Sequence, residues 1–579
     1  MSSKALQQIV RRFGFPLWRW YFFGVIFLLL TTWTTVSIPR FSKQVVNAFL
    51  GHESENFILK LILTIISLGV LQILIRSLSR WLLFWPGRKV ESDLKNYYFD
   101  HFLKLPLPFF HKFPQGDLIS RLANDVTQIR VCFAFAVLQA ANLVFLFSFA
   151  VYNMLQVSVH LTLITLVPLL LIIVVARISA PQVLKHSKMS QIKLGDLSNR
   201  LTETFLHIGI IQTNDSVESF LARAREKMQE VYQANVKLAL VRTIMFPIAT
   251  LFTGMSFLIV LYYGGMEIIH NKLSVGDILA FNIYIALLSF PLTAMGIIIA
   301  IVQRARSSCE RLVELEVHKY ENTRQDVWTE QKTPWKHPNG ELFPTLLKVK
   351  NLSFAYGTEP VLKDISFEIF HQEKIGITGP IGSGKSTLLS LLTRLYEAAP
   401  SSIFFKGEDI QNFDPQYLRR KIGLCLQTPY FFSSSVYDNL TLGLDKEITF
   451  QSLEDSAAKA QILTEIRQLE QGWDTLVGER GVRLSGGQKQ RLALSRLLLR
   501  KSELLLLDDI TAAVDQTTEL RLLSEIEKLS VSMIIVTHRP TALRLCKEVL
   551  LLDKGKLIDR GPYDVLLSKH PHLFESYVI

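Results

Sequence analysis

Six apolar stretches in the first 302 residues constrain this chain more than any other feature of its sequence. Each is about as long as the roughly 20 residues that an α-helix needs to cross a bilayer. We place the six spans near residues 17–39, 57–80, 132–155, 158–178, 243–264 and 278–301. Trp18, Trp20 and Trp81 stand near the ends of these stretches, as is typical of the membrane interface. The first part of the chain is therefore predicted to be an all-α membrane domain.

The positive charge of the chain is concentrated in that same part. Residues 1–320 carry 31 Lys and Arg against 18 Asp and Glu, whereas residues 321–579 carry 32 against 33. A basic excess can indicate a nucleic acid, but the apolar stretches favour a membrane, and we expect no nucleic acid as a partner. The excess belongs to the N-terminal tail and to the loops near 86–131 and 180–242. By the positive-inside rule that side is cytoplasmic, which predicts a multi-pass protein of the cytoplasmic membrane with its N-terminus inside.

The two long basic loops are predicted to be helical. Leu94, Tyr98 and Phe102 repeat at four-residue spacing, and Phe205 and Ile208 at three-residue spacing. The spans should therefore continue as long helices out of the membrane, with tips near residues 112–118 and 210–217.

The composition of the spans indicates what kind of partner molecule is to be expected. No Asp or Glu lies within the six predicted spans. Proton relays need ionisable side chains inside the membrane, so this argues against a proton-driven transporter. The uncharged spans favour a hydrophobic or amphipathic partner molecule.

The pattern of the chain changes in its second half. We expect a membrane domain over residues 1–312, a polar linker over 313–345 that contains Pro334 and Pro338, and a second domain over 346–579. In the last of these, short apolar strands alternate with helical stretches, which predicts an α/β sheet. Its cytoplasmic location follows from the orientation of the spans.

A glycine-rich motif is the strongest local signal of the second domain. It reads Gly379, Pro380, Ile381, Gly382, Ser383, Gly384, Lys385, Ser386 and Thr387. The motif follows an apolar strand and opens an apolar helix, which is the context of a P-loop. Backbone N–H groups of such a loop and the helix N-terminus bind phosphate. We expect Lys385 to contact the β- and γ-phosphates of ATP, and Ser386 to bind Mg²⁺.

Two further motifs complete the nucleotide chemistry. The apolar strand 504–507 ends in Asp508, which predicts a carboxylate delivered to the metal. A second glycine-rich helix start consists of Leu484, Ser485, Gly486, Gly487 and Gln488. One ATP does not need two such anion sites, so each is expected to serve a different nucleotide in a sandwich of two domains.

These motifs together resemble those of an ABC transporter half-subunit of the exporter type, with the type IV fold, and the resemblance covers nearly the whole chain. It implies a P-loop ABC nucleotide-binding domain and a transport-coupled ATPase. It also implies roles for four more residues. Tyr356 resembles the aromatic residue that stacks on adenine, and Gln427 resembles the Q-loop residue that touches Mg²⁺. Asp515 resembles the D-loop aspartate, and His538 the switch histidine that senses the γ-phosphate.

One position departs from the family pattern. The residue after Asp508 is normally Glu, which polarises the attacking water, whereas this chain has Asp509, which is one methylene shorter. Misplacing a reacting group by about 1 Å can cost roughly 10²-fold in rate. With Asp509 and His538 as its catalytic residues, the site is expected to bind ATP but to hydrolyse it slowly.

Leu484–Gln488 resembles the signature motif of the family, and an intact signature beside a weakened base predicts a heterodimer. The partner would be a second ABC half-transporter that carries the Glu, as in heterodimeric exporters of drugs, lipids or peptides. The retained His538 favours the alternative of a homodimer. An importer with the same fold and an ATP-gated or regulatory subunit are further alternatives, and export is the expectation from the family as a whole.

Overall fold

The computed structural model describes residues 2–214, 216–316, 345–444, 448–478, 481 and 484–575. Contacts divide the chain into two compact units. The first unit comprises Met1–Leu103 and Phe113–His318, and the second comprises Lys104–Lys112 and Lys319–Ile579. Most of the predicted linker, residues 317–344, lies outside the described residues.

All regular secondary structure in the described part of the first unit is helical. Its helices are α1 (Ser2–Ile9), α2 (Trp18–Leu50), α3 (Glu55–Leu103), α5 (Gln115–Ser120), α6 (Val126–Val131), α7 (Val137–Val157), α8 (Val159–Leu206), α9 (Ile208–Thr213), α10 (Val217–Ile259), α11 (Gly265–Ile269) and α12 (Val275–Glu316). Six continuous helical stretches are long and apolar enough to cross a membrane. The predicted class of membrane domain is therefore confirmed.

The helices are much longer than a bilayer is thick. Helix α3 has 49 residues and α8 has 48, so each extends over about 70 Å at 1.5 Å per residue. The hydrocarbon core of a bilayer is about 30 Å thick. The predicted helical extensions beyond the membrane are thus present.

Helix α12 provides much of the apolar core of this unit. Its side chains Phe281, Tyr284 and Leu288 are almost fully buried, in one cluster with Met154 of α7 and Leu161 of α8. The face of α12 that carries them repeats at three- and four-residue spacing, as expected for a helix that is enclosed on one side.

The first turn of α12 is held by a polar cluster. Asp277 accepts hydrogen bonds from the backbone N–H of Ser274 at 3.0 Å and from its hydroxyl at 2.6 Å. Lys43 of α2 pairs with the same carboxylate at 2.5 Å, although the Asp277 side chain is only 8% exposed. The pair links α2 to α12 at one end of both helices.

The second unit is an α/β domain. Its strands are β1 (Thr345–Tyr356), β2 (Glu359–Phe370), β3 (Lys374–Thr378), β4 (Ile403–Phe405), β5 (Glu408–Asp409), β6 (Ile422–Cys425), β7 (Leu504–Asp508), β8 (Ser532–Val536), β9 (Glu548–Asp553) and β10 (Lys556–Gly561). Its helices are α4 (Leu107–Lys112), α13 (Lys385–Leu392), α14 (Pro415–Lys421), α15 (Val436–Leu440), α16 (Phe450–Lys459), α17 (Leu463–Gln468), α18 (Gly486–Leu499), α19 (Gln516–Lys528), α20 (Pro540–Leu543), α21 (Tyr563–Lys569) and α22 (Pro571–Glu575). The predicted α/β class is confirmed.

A six-stranded sheet in the order β10-β9-β3-β8-β7-β6 forms the centre of this domain. The strands from β9 to β6 are parallel, and only β10 runs antiparallel. On β7, Leu504 and Leu506 enter one apolar core, and Leu505 and Leu507 enter the other. Both faces are covered, which explains why the strand is a continuous apolar run. The antiparallel sheet β2-β1-β4-β5 lies beside this layer in the fold.

Parallel strands bring the predicted motifs together at one edge. Strands β3, β8 and β7 are neighbours, and the P-loop, His538 and Asp508 stand at their carboxyl ends. Ligands of open α/β sheets bind at this edge.

One helical segment that follows α3 in the chain belongs to the second unit. Residues 104–112, which include α4, group with the second unit, and the ring of His111 stacks on Tyr396 with centroids 6.3 Å apart. The expected tip at 112–118 is therefore corrected to 104–112, because residues from Phe113 onward pack in the first unit. At the other predicted tip, α9 ends at Thr213, and Asp215 lies outside the described residues.

Candidate nucleotide-binding site

The P-loop connects the end of β3 to the start of α13. Gly379, Gly382 and Gly384 all have positive φ angles. A Cβ atom on Gly379 would lie 1.8 Å from the carbonyl oxygen of Leu552, so only glycine fits there. Ser383 is buried, whereas Ile381 is almost fully exposed at the tip of the loop. The loop thus has the strand-to-helix geometry that the motif predicts.

Lys385 folds back onto this loop. Its ammonium group donates hydrogen bonds to the carbonyl oxygens of Gly379 at 2.6 Å and Pro380 at 2.9 Å. Burial lowers the pKa of Lys385, and the charges of Asp508 and Asp509 oppose that shift. The ammonium group also lies 3.4 Å from the Ser383 hydroxyl, so its hydrogen-bond partners are all neutral. A half-buried cation of this kind suits an anion, because a phosphate would supply negative charge to it.

Two side chains whose oxygen atoms fit a metal site lie beside Lys385. The hydroxyl of Ser386, in the first turn of α13, donates to the carboxylate of Asp508 at 3.0 Å. Burial raises the pKa of Asp508, and the neighbouring charge of Asp509 raises it further. A divalent cation would relieve this repulsion. The oxygen donor set fits Mg²⁺, which is usually held by one or two protein ligands together with phosphate oxygens and water.

Asp509 is the first residue after β7, and its backbone is left-handed with φ 47°. Its carboxylate accepts hydrogen bonds from the Thr537 hydroxyl at 3.2 Å and from the Gln427 amide at 3.5 Å. Asp is among the non-glycine residues that adopt this conformation most readily. The side chain is thereby oriented between the Q-loop and the end of β8.

His538 shares the electrostatic environment of Asp509. Burial lowers the pKa of His538, the charge of Lys385 lowers it further, and Asp509 raises it. The next residue, Arg539, contacts the buried Glu519 of α19, which also accepts from the Thr541 hydroxyl at 2.7 Å. This pairing fixes the backbone on the carboxyl side of the histidine.

Gln490 is a residue of this region that the sequence analysis did not single out. Its amide N–H group donates to the backbone oxygens of Gln427 at 3.4 Å and Asp509 at 3.3 Å. Its amide oxygen accepts from the backbone N–H of Ala513 at 3.1 Å. The side chain is only 5% exposed. The sequence gives no signal that this glutamine of α18 connects three other segments, because its hydrogen-bond partners are far from it along the chain.

Tyr356 ends β1 on the other side of the P-loop. Its hydroxyl donates to that of Thr387 at 3.3 Å, and the ring is 42% exposed. The ring also contacts Tyr396 edge to face, with centroids 5.1 Å apart. An exposed aromatic face beside the first turn of α13 can accept a nucleotide base by stacking.

The signature residues form the N-terminus of α18. Ser485 accepts from the backbone N–H of Gln488, and Gln488 accepts from that of Ser485, so their side chains form a capping box. A Cβ atom on Gly487 would lie 2.6 Å from the carbonyl oxygen of Ala513, so this glycine permits a close approach to the D-loop. In that loop, Asp515 caps α19 by accepting from Thr518 N–H at 3.0 Å.

The structure brings some of the predicted residues together and keeps others apart. Hydrogen bonds or electrostatic contacts connect one group, namely Lys385, Ser386, Gln427, Asp508, Asp509 and His538. Within the described part of the chain, no hydrogen bond joins Leu484–Gln488 to the P-loop. The two glycine-rich helix starts are thus separate within this chain, one at α13 and the other at α18.

Comparisons with known proteins agree with this arrangement. Residues 21–292 match the family model described as the ABC transporter transmembrane region. Residues 362–512 match a second family model, described as "ABC transporter". The chain is 30% identical to the probable multidrug resistance ABC transporter ATP-binding/permease protein YheI of Bacillus subtilis, over 86% of this chain and 84% of the relative. It is 27% identical to the ATP-dependent lipid A-core flippase of Vibrio cholerae, over 91% and 89% of the two chains.

A solved structure shows the same fold. A bacterial Atm1-family ABC exporter with ATP bound superposes with a TM-score of 0.79 at 24% identity, over 97% of this chain and 99% of the other.

Proposed function

Because the chain belongs to the ABC transporter family, as a half-transporter in which a membrane domain is fused to an ATPase domain, we propose that it is the degenerate-site subunit of a heterodimeric exporter. The coupling of ATP hydrolysis to transport follows from the family. The assignment of a heterodimer, of individual site residues and of a cargo is our proposal.

In the proposed reaction, the residues of the P-loop bind the ATP phosphates and Tyr356 stacks on the base. Lys385 releases the carbonyls of Gly379 and Pro380 and turns to the β- and γ-phosphates. Ser386 and Asp508 hold Mg²⁺, with Gln427 next to them, and the ion neutralises charge on the phosphates. The signature of the partner would close over this nucleotide. In return, Ser485 and the backbone of Gly486 and Gly487 would close over the nucleotide that the partner's P-loop binds.

The weak base is the observation on which the proposal depends. Asp509 has the backbone position of the residue that would polarise the attacking water, but its carboxylate is engaged by Thr537 and Gln427. Being one methylene shorter than Glu, it is drawn back toward the strand. Such displacement costs rate without preventing binding. The P-loop and the signature carry no comparable change, so ATP binding here and hydrolysis at the partner's site are both supported.

ATP would then act mainly by its differential affinity for two states. Closure of the two nucleotide-binding domains buries ATP between a P-loop and the opposite signature, so the nucleotide favours the closed state. Residues 104–112, which group with the nucleotide-binding domain and continue from α3, are the segment through which we propose that closure reaches the membrane domain. Hydrolysis at the partner's site would reset the cycle.

For the cargo, we propose a hydrophobic or amphipathic molecule that is exported. The relatives include a probable multidrug resistance transporter and a lipid A-core flippase. The uncharged spans of this chain suit such molecules, because a charged cargo would need compensating charges within the membrane. We propose that the N-terminus and the nucleotide-binding domain lie in the cytoplasm, which the distribution of Lys and Arg favours.

A homodimer is the second candidate, and the retained His538 favours it. The two are separated by the ATPase rate of this chain purified alone, compared with the chain purified together with the product of a neighbouring transporter gene. The heterodimer predicts that the pair turns over and the single chain does not. An active dimer of this chain alone would show that Asp509 serves as the base and would refute the degenerate site.

A further inference from the structure

A small cavity opens in the first unit between α3 and the beginning of the third span. It has a volume of about 270 Å³. Its lining is made of Phe84, Arg88, Arg130, Val131, Ala134 and Phe135. Four of these side chains are apolar and two are guanidinium groups, so the cavity has one apolar part and one strongly basic part.

The cavity lies at a membrane boundary. On α3, Arg88 follows Trp85 by three residues, which is about 4.5 Å along the helix. Trp85 stacks obliquely on Trp20, with centroids 4.3 Å apart, and such a tryptophan cluster is typical of the interface. Arg130 stands two residues before the predicted third span. Both guanidinium groups are therefore at the depth of lipid headgroups, which extend several ångström beyond the hydrocarbon.

The charges at the cavity are not balanced. Glu91 is the carboxylate that three cations share, with Arg88 at 3.3 Å, Lys95 at 2.9 Å and Arg130 at 3.3 Å. Burial opposes its ionisation, but the hydrogen bond and the charge of Lys95, and then Arg130, keep the pKa of Glu91 below its usual value. One negative charge thus faces three positive charges.

One donor at this site is only partly satisfied. The buried Nε of Arg130 lies 3.3 Å from the Glu91 carboxylate, but in a geometry that makes no hydrogen bond to it. A buried N–H group on a charged side chain is costly when it is left without a partner. An additional anion at the basic end would satisfy both this donor and the excess of positive charge.

We propose that this cavity binds the phosphate of an anionic phospholipid, with Arg88 and Arg130 at the headgroup and Phe84 and Phe135 along the glycerol and the first methylene groups. Guanidinium groups pair with phosphate in a bidentate geometry, and basic pockets between helices at this depth recognise lipid headgroups. The apolar part of the lining selects a lipid over a soluble phosphate, which would gain nothing from it. The lipid is a resident ligand that bridges two helices and is distinct from the cargo.

Native mass spectrometry of the assembled transporter, released from nanodiscs, tests this proposal. Nanodiscs contain either phosphatidylcholine alone or phosphatidylcholine with one fifth phosphatidylglycerol. The wild-type complex should retain phosphatidylglycerol, and Arg88→Gln/Arg130→Gln should bind it about 25-fold more weakly, since each basic residue contributes about fivefold in affinity at a membrane surface. Lys89→Gln is the matched control. It removes a neighbouring charge that pairs with Asp93 at 2.8 Å and does not line the cavity, so retention should be unchanged.

Two further measurements keep the result interpretable. Arg88→Lys/Arg130→Lys keeps the charge and should restore most of the retention, which separates charge recognition from misfolding. In the wild type, phosphatidylglycerol with a diazirine near the glycerol should crosslink within residues 130–135. Equal retention by the wild type and the Gln variant, or crosslinks that avoid this peptide, would overturn the proposal. Displacement of the lipid by millimolar inorganic phosphate would overturn the lipid assignment in favour of a soluble anion.

Discussion

Replacing Asp509 by Glu is expected to turn the site of this chain into a hydrolysing one. The present carboxylate is held by Thr537 at 3.2 Å and Gln427 at 3.5 Å. One additional methylene moves the carboxylate about 1.5 Å farther from the backbone. Because a misplacement of about 1 Å can cost roughly 10²-fold, we expect hydrolysis at this site to rise by about two orders of magnitude.

The same substitution should carry a small cost in stability. Asp509 has φ 47°, a conformation that Asp adopts more readily than Glu. We expect a loss of about 1 kcal/mol in the free energy of unfolding. Asp509→Asn is the matched control, because it preserves size and backbone preference but removes the carboxylate.

Vanadate trapping with photoreactive 8-azido-ATP resolves the two sites, because each chain of the complex is labelled separately. The wild-type complex should trap nucleotide on the partner, and Asp509→Glu should add label on this chain, whereas Asp509→Asn should not. The reasoning is refuted if the wild type already traps equally on both chains. It is also refuted if Asp509→Glu leaves this chain unlabelled while the partner traps normally.

Four other substitutions test separate parts of the structure. Lys385→Ala removes the only ammonium group within reach of the P-loop carbonyls among the described residues, and should reduce photolabelling of this chain by ATP at 4 °C at least tenfold. Ser485→Ala breaks the capping box of α18 at a cost of about 1 kcal/mol. It should strongly reduce turnover at the partner's site without reducing ATP labelling of this chain. Ser485→Thr retains a cap and should lose less of that turnover. Gln490→Leu removes the acceptor of the Ala513 N–H and the donor to two backbone oxygens, which should cost about 1 kcal/mol in thermal unfolding and slow turnover. Lys43→Met leaves Asp277 without its cation and should cost about 1–2 kcal/mol, since one partner of the pair is a third exposed; an undiminished melting temperature would show that the pair contributes nothing.

The parts of the fold that depend on local pattern could be predicted from the sequence. The apolar spans and the run from Leu504 to Asp508 each carry their own signal, since length and hydropathy decide between a membrane helix and a buried parallel strand. The P-loop was likewise predictable, because its glycines are needed by the turn itself.

Contacts made by residues far apart in the chain were not predictable. Gln490 links the Q-loop, the end of β7 and the D-loop, and Glu519 holds Arg539, but neither contact leaves a pattern along the sequence. The association of residues 104–112 with the nucleotide-binding domain also depends on tertiary packing. A helical period shows which face of a helix is apolar, and does not show which domain covers it.

The row of rings from Tyr356 through Tyr396 to His111 has a consequence for timing. Tyr356 and Tyr396 are 5.1 Å apart, and Tyr396 and His111 are 6.3 Å apart. A base stacked on the first ring is thus two ring contacts from α4, and none of these contacts involves the γ-phosphate. Through this route the position of α4 would depend on whether a nucleotide is bound. It would not depend on whether the γ-phosphate of that nucleotide has been hydrolysed. Under the proposed function, this contact would stay unchanged while the faster site of the partner turns over.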